Sequence, residues 1–173
     1  MVVSEEDLRS RSERLGERLR TRGDTLAVAE SLTGGLVGST ITDVPGSSAY
    51  FDRSVVTYAY GAKRQALAVP REELDDHGAV SAPVAAAMAR GVRDTADTSW
   101  GLSTTGIAGP DGGTADKPVG LVFVGVAYAA GWGTGDSFVR TERFEFDGDR
   151  IAVKRQSVAA ALDLLSETIE TIE

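Results

Sequence analysis

For its first hundred residues the chain alternates between helical and strand patterns, and that alternation limits what it can fold into more than any other feature. Glu5 to Arg22 places Leu8, Leu15 and Leu19 on one helical face, with charges elsewhere. Gly23-Asp24 stops that helix, and "TLAVAE" follows as a short buried strand. A glycine-opened helical stretch, Thr33 to Thr42, closes before the turn-rich "DVPGSS". "RSVVTYAY" is dominated by β-branched and aromatic residues and reads as a second strand. Helical segments then follow at Gly61–Ala68, Arg71–Asp76 and Ser81–Ala96, the last with Ser81 as N-cap and a proline in its first turn. "WGLSTTGIAG" is a third strand running into the glycine loop "GPDGGTADKPVG". Only then does the rhythm change. Two long β runs, Gly120 to Ala130 and Phe138 to Phe146, sit either side of "GWGTGD", as in an antiparallel hairpin. A helix from about Gly148, with Val158, Leu162, Leu165 and Ile169 on one face, ends the chain.

Interleaved helices and strands followed by a hairpin predict an α/β fold: a three-layer α/β/α sandwich on a mixed β-sheet with a late antiparallel hairpin. No repeat, linker or low-complexity segment divides residues 1–173, so they read as a single domain, and 42% hydrophobic content is enough for a sizeable core.

Composition narrows the chemistry. Cysteine is absent, which excludes disulfides, thiolate metal sites and cysteine nucleophiles together. His77 is the only histidine, so a histidine-clustered metal site is out of reach for one chain, and it reads as a structural or loop residue. A net charge of −8 argues against nucleic acid as a partner, because phosphate neutralisation needs a basic face. Only Lys63, Lys117 and Lys154 are lysines, and an acidic surface with so little lysine fits a protein kept soluble in high salt. "MVVSEEDLRS" turns polar at once, and no apolar run approaches the roughly 18 residues of a membrane span. The expectation is a cytoplasmic protein with no membrane partner.

Three segments can carry chemistry. In "AESLTGG", Ala29 to Gly35, Ser31 stands where a strand gives way to a helix. Unpaired N–H groups and the helix dipole favour negative charge there, and glycine lets another molecule approach the backbone. A helix cap, an anion ligand and a nucleophile are all open to Ser31. A serine nucleophile needs a base. With one imidazole in the chain, the other option is a lysine whose ammonium is desolvated, so that its pKa falls from about 10.4 towards roughly 7–8. Lys63, in the first turn of a short helix after "TYAYGAK", is the candidate, and arginine could not replace it because it stays protonated. A solvated surface lysine is the plain alternative. The third segment is "STTGIAGPDGG", where Thr104 and Thr105 offer hydroxyls and Gly106, Gly109, Gly112 and Gly113 free backbone amides for an anion. A flexible loop with a Pro-Asp-Gly turn would look the same.

In order along the chain, "TLAVAESLTGG", "PGSSAYF", "VTYAYGAK", "HGAVS", "TGIAGPDGG…KPVG" and "GDRIAVKRQ" closely resemble the CinA C-terminal-domain family, whose characterised enzymes are nicotinamide-nucleotide amidases. The resemblance covers nearly the whole chain. It implies a cofactor-free Ser/Lys amidohydrolase that converts nicotinamide mononucleotide to nicotinic acid mononucleotide and ammonia, and a homo-oligomer. By motif, Ser31 corresponds to the nucleophile and Lys63 to its base, while Ser48, Tyr58 and Thr105 line the site. Gly34, Gly35 and the loop containing Gly109 look like a backbone cradle. The resemblance implies that Arg150 meets the substrate phosphate, and Lys117 is an alternative source of positive charge. The oxyanion is then expected to face N–H groups from Thr33 to Gly35, with Thr105 as an extra donor. Two departures stand out: Leu32 replaces the family's usual cysteine, and Tyr60 its usual asparagine. Leu32 leaves serine as the attacking group, whereas Tyr60 bears on pocket shape and substrate preference. Two rival readings are a non-catalytic nucleotide-binding or competence/damage-associated regulatory module, and an amidase for some other amide.

Overall fold

The computed structural model describes residues 2–173. Helix α1, Glu5–Arg22, starts at a reciprocal cap: Asp7 N–H donates to Ser4 Oγ at 3.1 Å, and Ser4 N–H to the Asp7 carboxylate at 3.0 Å. Strand β1, Leu26–Glu30, is buried along its whole length. Its period of two divides the core. Leu26 and Val28 face a cluster with Leu15 and Leu19 of α1, and Ala27 and Ala29 face a second cluster on the other side of the sheet.

Helix α2, Leu36–Thr42, is followed by an edge strand β2, Phe51–Val56. Three helices come next: α3, Tyr60–Leu67; α4, Arg71–His77; and α5, Ala82–Ala96, capped by Ser81 Oγ, which accepts from Val84 N–H. Strands β3, Trp100–Gly106, β4, Leu121–Tyr128, and β5, Phe138–Glu145, complete the sheet, and α6, Arg150–Glu170, closes the chain from its cap at Asp149. The strand order is β2-β1-β3-β4-β5. The first three strands are parallel, and β4 and β5 are added antiparallel. Helices α1, α2 and α6 cover one face and α3, α4 and α5 the other, which is the three-layer mixed sandwich that the sequence pattern predicts. Helix α5 lies close on the sheet because β3 and β4 carry glycine beneath it. A Cβ on Gly101 would collide with the Ala89 carbonyl, and one on Gly125 would lie 2.5 Å from that of Ala85.

Most element boundaries shift by one or two residues from expectation, and two beside the site shift further. Helix α2 begins at Leu36, not Thr33, because Gly34 and Gly35 adopt φ of 60° and 101°, a left-handed turn that precedes the helix. Strand β2 ends at Val56 and not Tyr60: Thr57 N–H makes one last ladder bond, to Glu30 O at 2.8 Å, and the chain then turns into α3. Among the described residues no helix is long and apolar enough to cross a membrane.

Candidate active site

The parallel register aligns Glu30 of β1 with Val56 of β2 and Thr104 of β3, so the carboxyl ends of three strands meet at one edge. In an open α/β sheet this edge forms a crevice. Ser31 continues β1 into it, with its N–H donating to Thr104 O at 3.0 Å. Its side chain is almost wholly buried at the crevice floor.

Beneath Ser31 lies Lys63, completely buried on the fourth residue of α3. Its Nζ is 3.0 Å from Ser31 Oγ, 2.5 Å from Thr57 O and 3.4 Å from Tyr58 O. Two carbonyls and a hydroxyl surround the amine. Burial pushes its pKa down from 10.5 to about 8, since desolvation penalises the charged form. A lysine shifted by desolvation is what the sequence reading expects, and burial is the cause; the helix dipole that it also invokes is not among the causes. A neutral amine has two N–H bonds and one lone pair. With Thr57 O and Tyr58 O accepting the two protons, the lone pair is directed at Ser31 Oγ.

A cleft of about 240 Å³ opens above Ser31, with Leu32, Tyr58, Val80, Thr105 and Arg150 in its walls. Arg150, the first residue of α6, donates from Nη1 to Gly109 O at 2.7 Å and from Nη2 to Tyr58 Oη at 3.2 Å. It thereby joins three cleft walls while staying exposed to solvent. Leu32 occupies the wall with its side chain buried, adding apolar surface beside Ser31. A second cleft of about 230 Å³, lined by Phe144, Phe146, Arg11 and Asp163 among others, brings no serine or lysine together.

Several expected roles change. The Thr33–Gly35 turn is no open cradle. Glu30, fully buried at the end of β1, accepts from Thr33 Oγ1 at 2.7 Å, Gly35 N–H at 2.9 Å, Val37 N–H at 3.0 Å, Gly38 N–H at 2.8 Å and Ser54 Oγ at 2.6 Å. The N-terminus of α2 is already filled by this internal carboxylate, and Gly34 N–H turns back to Ser31 O. Thr105 cannot serve as the extra oxyanion donor, because its hydroxyl proton goes to Ala79 O at 2.7 Å. Ser48 does not line the cleft. It sits in a short turn of 3-10 helix before β2, at the opposite end of the sheet, about 16 Å away at 3.3 Å per residue of strand. Lys117 is engaged by His77 O. The His77 side chain is 3.6 Å from Glu73 on the exposed side of α4, consistent with a structural residue. Tyr60 stays outside the cleft and accepts Ala79 N–H at 3.3 Å, so it bears on the wall through the segment that holds Thr105.

Glu30 is the residue that sequence reasoning missed. The available signal was an acid closing an otherwise apolar buried strand, directly before a double-glycine turn.

The fold and this site define an α/β domain with a buried serine–lysine pair at its strand ends. The model of the CinA C-terminal domain matches residues 8–169, and the chain belongs to that family. It is 47% identical over 163 residues to the nicotinamide-nucleotide amidohydrolase PncC of Escherichia coli, covering 94% of this chain and 95% of that protein. It is also 46% identical to a CinA-like protein of Nostoc, of which it spans only 38%. Among solved structures, a competence-damaged protein (CinA) superfamily protein from Klebsiella pneumoniae superposes with a TM-score of 0.87 at 32% identity, covering 95% of this chain and 98% of that one. The competence/damage inducible protein CihA from Agrobacterium tumefaciens superposes with a TM-score of 0.87 at 33% identity, covering 96% of this chain and 97% of that one.

Proposed function

We propose that this chain is a nicotinamide-nucleotide amidase that hydrolyses the carboxamide of nicotinamide mononucleotide, with Ser31 as nucleophile and Lys63 as its base. The observation that carries the reading is the 3.0 Å contact between Ser31 Oγ and a buried Lys63 Nζ with no carboxylate on it. The identity to an amidohydrolase of nearly equal length supports the substrate class.

The reaction runs in two halves. Ser31 Oγ bonds to the carboxamide carbon as its proton passes to the Lys63 lone pair. The oxygen that gains charge turns to the N–H groups of Leu32 and Thr33, which have no acceptor among the described residues. Collapse breaks the carbon–nitrogen bond, Lys63 returns its proton to the leaving nitrogen, and ammonia departs. Water then attacks the acyl-serine by the same proton path in reverse, releasing the carboxylate and restoring Ser31. Each oxyanion donor contributes about 10²–10³ in kcat. Arg150, a guanidinium exposed at the mouth, offers the substrate phosphate its counter-charge on an otherwise acidic protein. No step calls for a cofactor.

Purified protein incubated with nicotinamide mononucleotide should release ammonia, and the Ser31→Ala variant should release none while still binding the nucleotide. Binding without turnover in the parent protein would favour the regulatory module instead. A buried, unpaired lysine facing a serine is a costly arrangement that a binding module does not need. The reading extends to a cytoplasmic, self-associating enzyme. Light scattering that gives the 18.1 kDa mass of one chain would remove self-association from it.

A further inference from the structure

We propose that Glu30 is a positioning residue for this reaction: its carboxylate clamps the turn from Ser31 to Gly38, fixing Ser31 over Lys63 and leaving the Leu32 and Thr33 N–H groups as the oxyanion donors. The inference rests on the serine–lysine reading and adds to it a residue that touches neither substrate nor base.

The clamp has a defined polarity. Oε2 takes the Thr33 hydroxyl with the Gly35 and Val37 amides, and Oε1 takes the Gly38 amide with the Ser54 hydroxyl. Thr33 has a single hydroxyl proton and gives it to Glu30, so the 2.8 Å contact between Thr33 and Thr104 must be donated by Thr104. Five donors converge on two oxygens, and three of them are fixed backbone N–H groups. A carboxylate is the one side chain of this shape that satisfies them all. In a glutamine, whichever way the amide turned, its nitrogen would face at least one backbone N–H. The clamp also crosses between elements. Ser54 belongs to β2, and Gly38 lies so close to it that a Cβ there would be 2.6 Å from Ser54 Cβ. The turn bearing the nucleophile is thereby tied to the strand that leads into Thr57 and Tyr58, whose carbonyls hold Lys63. One buried group sets the relative position of nucleophile and base. Of the amides between Ser31 and Gly35, the clamp and the Ser31 and Thr104 carbonyls engage all but those of Leu32 and Thr33.

The test compares Glu30→Gln, Ser54→Ala and Ser31→Ala by ammonia release, pH profile and amide hydrogen exchange. Folded Glu30→Gln should lose about 100-fold in kcat, the cost of an ångström-scale misplacement, with KM within threefold of the parent. The pH midpoint of kcat should stay in place, because Lys63 remains buried between the Thr57 and Tyr58 carbonyls. Exchange at Gly35, Val37 and Gly38 should accelerate while that of β1 is unchanged. Should Glu30→Gln fail to fold, Ser54→Ala carries the test. It removes one donor from outside the turn, and kcat should drop about fivefold with faster exchange at Gly38. Faster exchange with parental kcat would overturn the inference, as would a rise in KM with kcat unchanged. Ser31→Ala separates the two ideas. If it is inactive while Glu30→Gln is fully active, the positioning role alone fails; if it retains turnover, the serine–lysine reading itself fails.

Discussion

The two ends of the sheet are built from opposite materials. At the amino end of the parallel strands, Trp100 packs against Tyr128 and Phe138 with ring centroids 4.5 and 6.4 Å away. Its indole N–H is spent on Asp24 at 2.9 Å. At the carboxyl end, within two residues of the tips of the parallel strands, the buried polar side chains are Glu30, Ser31, Thr57, Thr104 and Thr105, with Lys63 beneath them. The first end lowers the free energy of the fold by removing aromatic surface from water. The second places charge and hydroxyls where they cost stability, and that cost is tolerated because preorganised polar groups work only when held out of water. The contrast predicts that substitutions at one end act on turnover and at the other on stability.

The largest effect belongs to Ser31→Ala, which should lower kcat by at least about 10⁴-fold with the melting temperature little changed. Lys63→Arg should match it closely, since a guanidinium cannot accept the proton. At the other end, Trp100→Ala should destabilise by about 3–5 kcal/mol, read from denaturant midpoints, and leave kcat unchanged at temperatures where the variant is folded. A Trp100 variant with impaired turnover, or a Ser31 variant with a collapsed melting temperature, would break the division.

The pH dependence sharpens it. Lys63 must be neutral to act, so kcat should rise with pH through about 8, its lowered pKa. Stability shifts over a different window. The unfolded chain keeps the ordinary value of 10.5, so between about 8 and 10.5 it binds a proton that the folded chain does not, and stability rises with pH across that range. Below about 8 both states are protonated and the burial penalty, on the order of 3 kcal/mol, is fully present. Lys63→Met should flatten the stability curve there and abolish turnover together. The smallest effect is at the rim: Arg150→Ala should raise KM for the nucleotide about tenfold with little loss of kcat, the size of one exposed charge-assisted contact.

Much of this was readable from residue order alone. Patterns of period 3.6 and period 2 marked nearly every element, because each helix and strand buries a single face. Ser31 and Lys63 stood out for a chemical reason, a hydroxyl and a lysine at strand ends in a chain without cysteine and with one histidine. Elimination of other bases made Lys63 a candidate partner for Ser31, and motif resemblance joined them as a pair. The rest depended on contacts between segments far apart. That Glu30 caps α2 from inside, receiving Ser54 from a neighbouring strand, is set by tertiary packing, and it shifts the helix start to Leu36. The direction of the Thr105 proton depends on Ala79, 26 residues away. Ser48 is expected at the site from its motif position, yet β2 carries the chain the full depth of the sheet before it reaches the crevice.

Leu32 has a further consequence. With an aliphatic side chain beside Ser31 and sulfur present only in two methionines, no group at the cleft can be alkylated by a thiol reagent or converted to a sulfenic acid. On the serine–lysine reading, turnover should therefore be the same with and without a thiol-alkylating reagent or a mild oxidant.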